Sequence, residues 1–168
     1  MEGRVVLRGD DESARLNAPQ RILQSAFAAL SGGRFSEVVA QFDDCFTFAD
    51  HALALEFTDK VRLSDFFHKS RQLFADTALE IASLFESGDH AIAQWRLSAT
   101  QTLPYGSISY RFPISLLPGS TIVRVEHGRI VQWSEYYDQN SSRQKLGLNP
   151  LSTNTLIHKD GRFIVTIR

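Results

Sequence analysis

Two strands meeting at a two-residue turn constrain this chain more than any other stretch. Residues 119–138 read G-S-T-I-V-R-V-E-H-G-R-I-V-Q-W-S-E-Y-Y-D. His127-Gly128 suits a hairpin turn, because glycine accepts positive φ and histidine does so better than most residues. Arg129–Tyr137 then returns as an aromatic-rich strand carrying one carboxylate, Glu135. Alternation gives one face to Trp133, Glu135 and Tyr137 and the other to Ile130, Gln132, Ser134 and Tyr136. Both faces are mixed, so the pattern leaves open which one turns inward. A carboxylate buried among aromatics has its pKa raised by desolvation, which poises it as a general acid or base near neutral pH.

The strands follow a helical half. Asn17 has the character of an N-cap, with Pro19 in the first turn, and Ile22, Leu23, Ala26, Phe27 and Leu30 recur at helical spacing. Gly32-Gly33 ends that helix. Ser36 is placed to cap a second, shorter helix with Val38, Val39 and Phe42 on its buried side, closed by Asp43-Asp44. Cys45–Ala49 favours a strand that Asp50-His51 interrupts, and Ala52–Thr58 is a short strand or an anchored loop. Ser64 is placed to cap a third helix with Phe66, Phe67, Ser70, Leu73 and Phe74 along one face.

After Asp76-Thr77 the texture changes to strands. Leu79, Ile81, Ser83 and Phe85 share one parity. Ala91–Leu103 is a long strand with an irregularity at Ala99–Gln101, and Pro104-Tyr105-Gly106 is a turn. Ser107–Leu117 and Ser120–Glu126 are broken at Pro118-Gly119. Helices segregated from an antiparallel meander define an α+β domain. Its sheet must bury one face on the helices, and strong curvature makes it a half-cone around a cavity. Residues 1–16 are expected to be a flexible or loosely docked arm, 17–148 the domain, and 149–168 an extension in which Lys159-Asp160-Gly161 turns a terminal hairpin.

Composition excludes several functions. The chain has 168 residues and a net charge of −1, so it exerts no general pull on nucleic acid. No stretch approaches the roughly 18 apolar residues of a membrane span, and no signal-peptide core is present, so a cytoplasmic location is expected. Cys45 is the single cysteine, which rules out a disulfide within the chain and reads as a small core residue. No His and acidic residues show a metal-ligand spacing, and no phosphate loop or nucleophile elbow exists. Phenylalanine is abundant, at 12 residues against 1 methionine, which suits a dense core or a stiff-walled apolar pocket.

The order of elements, together with the 119–138 stretch, resembles the nuclear transport factor 2-like superfamily. It is closest in texture to the SnoaL-like polyketide cyclases and the limonene-epoxide hydrolases. The resemblance covers about residues 17–148. It implies a cone-shaped barrel, a strongly curved antiparallel sheet wrapped around three N-terminal helices and enclosing a pocket, and a homodimer through the outer sheet face. In the hydrolases an acidic residue follows the strand's tryptophan by two, as Glu135 follows Trp133 in W-S-E-Y-Y-D. Their Arg-x-Asp corresponds to Arg96-Leu97-Ser98, which keeps the arginine and loses the carboxylate. Their Tyr-x-Asn corresponds to Phe48-Ala49-Asp50. The His–Asp pair of the cyclases falls at Gln101 and Thr121.

The resemblance therefore implies a cofactor-independent enzyme acting on an apolar polyketide-, terpenoid- or steroid-like molecule. The reaction would be a cyclisation, isomerisation, dehydration or epoxide opening. Glu135 would move the proton, Arg96 and Asp50 would set its charge, and His51 would assist. Phe27, Phe48, Phe67, Ser98, Thr121, Trp133 and Tyr137 would contact the substrate. A non-catalytic binding or dimerisation module of the same fold is the rival reading.

Overall fold

The computed structural model describes residues 18–105, 108–138, 157–159 and 162–164. Three helices precede the long strands. Pro19 opens helix α1 (Pro19–Ser31), at a position where its missing N–H is no loss. The residue before it is Ala18, which lends no side-chain cap; the expected cap, Asn17, lies outside the described residues. Gly33, at φ 69°, turns the chain after α1. Helix α2 (Phe35–Ala40) starts after Arg34 rather than Ser36. Helix α3 (Lys60–Leu73) begins a turn before Ser64, because the Asp59 carboxylate accepts from the Arg62 N–H at 2.8 Å. An anion there also complements the helix dipole, an advantage that a serine lacks.

Six strands form one curved, unclosed sheet: β1 (Phe42–Asp50), β2 (Leu55–Phe57), β3 (Phe74–Ser87), β4 (His90–Tyr105), β5 (Ile108–Glu126) and β6 (Arg129–Tyr137). Their order is β2-β1-β6-β5-β4-β3. β1 and β6 run parallel, and every other pair is antiparallel. His127 and Gly128 have φ of 50° and 75°, the two positive values that a two-residue turn of this kind requires. The α+β cone expected from the sequence is the architecture observed.

Several local expectations are corrected. Asp43-Asp44 does not close α2 but belongs to β1. Cys45 is exposed, not a core residue, because it falls on the outer face of β1. β5 runs unbroken through Pro118-Gly119; its register against β4 shifts instead opposite Ser98, where β5 has one extra residue between Leu117 and Ile114. That segment includes Leu116 at φ 52°. A register shift between Ile81 and Ser83 divides the parity of β3, so Leu79 and Ile81 pack on the core while Phe85 is exposed. The terminal hairpin forms from β7 (Ile157–Lys159) and β8 (Arg162–Ile164), and its turn residues lie outside the described residues.

The concave face holds the core. α1 contributes Leu23, Ala26 and Phe27, and the sheet contributes Phe42, Phe46, Phe48, Val123, Ile130 and Trp133. Trp133 is its hub: Phe48 stacks on it at 6.0 Å between centroids, and Phe27 meets it edge-on at 5.7 Å. Each such ring contributes about 1.5–3 kcal/mol by burial, and each ring pair about 0.5–1.5 kcal/mol more. Among the described residues, no helix is long and apolar enough to cross a membrane.

Candidate active site

Sheet register arranges the concave face in rows. Phe48, Trp133, Val123 and Ala91 form one row across β1, β6, β5 and β4. Asp50, Glu135, Thr121 and Ala93 form the next. Tyr137, Gly119 and Trp95 follow. The polar row therefore lies between the aromatic core and the Trp95–Tyr137 ring pair.

Asp50 and Glu135 are the centre of that row. Because β1 and β6 are parallel, their Cα atoms are direct register partners. Asp50 is buried, and both of its carboxyl oxygens have donors. The Leu53 N–H donates to Oδ1 at 2.9 Å, and the Tyr137 hydroxyl donates to Oδ2 at 3.0 Å. Burial raises its pKa, and those hydrogen bonds oppose the rise. Among the described residues, Glu135 accepts one side-chain hydrogen bond, from the Trp133 Nε1–H at 3.0 Å to Oε1. Burial first, and the neighbouring Asp50 charge second, push the Glu135 carboxyl up to about 7. Burial and the same carboxylates push the Tyr137 hydroxyl well above its usual range, so it stays a donor. Two carboxyls thus stand on neighbouring strands, Asp50 better supplied with donors than Glu135, an arrangement that sets their proton affinities apart.

The other expected site residues are placed differently. Trp133 and Tyr137 join Glu135 on the inner face, and Thr121 lies in its row. Phe27, Phe48 and Phe67 pack into the core. Arg96 is exposed on the outer face, opposite Glu80. Alternation along β4 turns Ala91, Ala93 and Trp95 inward, and a one-residue offset reverses the face. The charge acting on Glu135 is thus that of Asp50, not a guanidinium. His51 is exposed too; its ring stacks on Tyr136 at 4.4 Å, and its backbone N–H donates to the Glu135 carbonyl. Ser98 accepts from the Leu116 N–H at 3.2 Å, bracing the irregular segment of β5.

Trp95 and Gly119 are further inner-face residues, in the row of Tyr137. A Cβ on Gly119 would fall within the Trp95 ring, so the indole occupies the space left by the missing side chain. A glycine inside a strand signals such an approach, although a Pro-Gly pair by itself equally suits a break. An open depression of about 680 Å³ lies elsewhere, lined by Asp43, Cys45, Thr47, Arg124 and Val131 on the outer side.

Solved structures share this fold. A hypothetical protein with a ketosteroid isomerase-like fold from Catenulispora acidiphila, in complex with trimethylamine, is 19% identical with a TM-score of 0.61, covering 76% of this chain and 93% of its own. A Shewanella putrefaciens protein assigned as a SnoaL-like polyketide cyclase is 12% identical with a TM-score of 0.65, covering 78% and 97%. An LEH-like epoxide hydrolase from M. tuberculosis is 15% identical with a TM-score of 0.58, covering 76% and 88%. No curated protein sequence matches the chain. The family model of the SnoaL-like domain matches residues 23–133, and the chain belongs to that family.

Proposed function

We propose that this protein is a cofactor-independent acid–base enzyme with Glu135 as its proton carrier. The observation that carries the reading is the pairing of Asp50 with Glu135 on parallel strands, with donors concentrated on Asp50. Burial, with the Asp50 charge second, keeps Glu135 protonated up to neutral pH, and Tyr137 steadies Asp50. At neutral pH Glu135 is populated in both states, which general acid and general base catalysis each require. The aromatic surroundings favour an apolar substrate of polyketide, terpenoid or steroid type. Cyclisation, isomerisation, dehydration and epoxide opening all reduce to proton transfer at one oxygen or carbon. The activities named for similar structures, a cyclase and an epoxide hydrolase, support this range.

A ligand-binding module of the same fold is the second reading. It is favoured by Thr121, which stands where the resemblance puts a cyclase acid and is instead hydrogen-bonded to Trp95. The complex of one similar structure with trimethylamine supports small-ligand binding in either case. A homodimer through the outer face is part of the proposal, supported by the row of Phe85, Ile92 and Ile122 across β3, β4 and β5.

The deciding experiment is a ¹³C-carboxyl NMR titration of Glu135 with a turnover screen of epoxides and unsaturated ketones. The enzyme reading expects a midpoint near 7 and a turnover loss of roughly 10²-fold in Glu135→Gln. An ordinary carboxylate midpoint, or unchanged turnover in the variant, removes Glu135 from the chemistry.

A further inference from the structure

Trp133 and Glu135 lie two positions apart on β6, so both side chains point to the concave face. The indole Nε1–H donates to Glu135 Oε1 at 3.0 Å. An indole N–H cannot accept, so this bond runs in one direction whatever the charge on the carboxyl. The indole is itself fixed. It is fully buried, Phe48 stacks on it with 17° between the ring planes, Phe27 meets it edge-on at 84°, and Phe42 lies 5.9 Å away. A ring gripped by three others in a close-packed core holds its one polar atom in place as well.

The two carboxyl oxygens of Glu135 therefore differ. In the protonated acid one oxygen is a carbonyl and the other a hydroxyl, and the carbonyl is the better acceptor. A proton placed on Oε1 would face the indole hydrogen and weaken a buried hydrogen bond, which is costly. The other groups facing Glu135 make no such selection. Asp50 acts from β1 through its charge, Tyr137 gives its hydroxyl proton to Asp50, and Thr121 of β5 accepts from Trp95.

We infer that Trp133 is a positioning residue that keeps Oε1 of Glu135 for its own N–H and so confines the acidic proton to Oε2. Glu135 then gives up and takes back its proton at one oxygen, with the carboxyl in one orientation. Acid and base steps pass through the same point, which a carrier working in both senses requires. The catalytic meaning of this arrangement rests on the reading of Glu135 as proton carrier.

The test uses the full chain and needs no ligand. The two tryptophans give two indole N–H resonances, told apart with Trp95→Phe. As Glu135 loses its proton the hydrogen bond from Trp133 strengthens, so that indole resonance should move downfield in step with the Glu135 ¹³C-carboxyl curve. The Trp95 N–H donates to the neutral Thr121 hydroxyl and should move less than half as far. In Glu135→Gln the Trp133 resonance should hold still. Infrared spectra taken below the midpoint, with and without Glu135→Gln, isolate the carboxylic C=O band of Glu135. Acceptance of the indole N–H by that carbonyl should place the band at lower frequency than in Trp133→Phe, which keeps a ring and removes the donor. The Glu135 midpoint in Trp133→Phe should rise by about one pH unit, because a hydrogen bond to the charged form is lost. If Trp133→Phe unfolds, judged by circular dichroism, the resonances of wild type and Glu135→Gln carry the test. A Trp133 resonance that ignores the Glu135 midpoint or titrates unchanged in Glu135→Gln, or a C=O band unmoved in Trp133→Phe, overturns the inference. An ordinary Glu135 midpoint with the Trp133 resonance still following it would instead overturn the acid–base reading and leave the proton on Oε2.

Discussion

Asp50 and Glu135 are register partners on parallel strands, so two carboxyls share one end of the concave face. Tyr137 and Leu53 stabilise the charge on Asp50, while Glu135 bears the cost of its neighbour and of burial. The asymmetry of donors decides which group holds the proton.

Stability should fall as pH rises through the Glu135 window. Its folded pKa of about 7 exceeds the ordinary value of 4.5, so the folded state binds more protons between those limits. The derivative of unfolding free energy with pH is therefore negative there, and the loss amounts to at most about 3 kcal/mol by pH 8. Denaturant melts of wild type and Glu135→Gln should converge near pH 4 and diverge above pH 7, with the variant the more stable. Parallel curves would show that Glu135 titrates normally.

Asp50→Asn should lower the Glu135 midpoint. The Asp50 charge is the second cause of the elevation after burial, and asparagine removes it while leaving burial in place. Carboxyl NMR reads the change directly. A midpoint that stays put would mean that Asp50 is uncharged in the folded protein.

Arg96→Ala should leave both the Glu135 midpoint and stability within about 0.5 kcal/mol of wild type, as expected of an exposed strand residue. A marked shift in the midpoint would place the guanidinium on the concave side and reverse the facing of β4.

Phe48→Ala should destabilise the fold by about 3–5 kcal/mol, because it opens a cavity among rings at the hub of the core. Phe48 is fully buried and touches Trp133, Phe42, Phe57, Phe66 and Phe67. Thermal melting checks it, and a loss below about 1 kcal/mol would mean that the cone interior is loosely filled.

Ile92→Lys should abolish a dimer built on the outer face, since it sets a charge in the row of Phe85 and Ile122. Sedimentation of both proteins at equal concentration measures this. A wild-type monomer, or a variant that still pairs, would sink the outer-face dimer.

The succession of helices and long strands was readable from periodicity and turn chemistry. So was the hairpin at His127-Gly128, because two residues suffice to demand positive φ. Glu135 was readable as the candidate acid because it follows a tryptophan among aromatics on a marked strand. Facing was not readable for Arg96, since neither its strand's alternation nor its charge names the inward side. Nor was the partnership of Asp50 with Glu135, which are 85 positions apart in sequence.

Local chemistry thus determined which segments are helix, strand and turn, and which residue types could carry a proton. Tertiary structure alone decided their company. Parallel pairing of β1 with β6 set Asp50 beside Glu135, and alternation on β4 sent Arg96 outward and Trp95 inward over Gly119. The physical reason is that pKa and hydrogen bonding depend on neighbours across strands. Those neighbours follow from register, a property of the folded sheet rather than of any single segment.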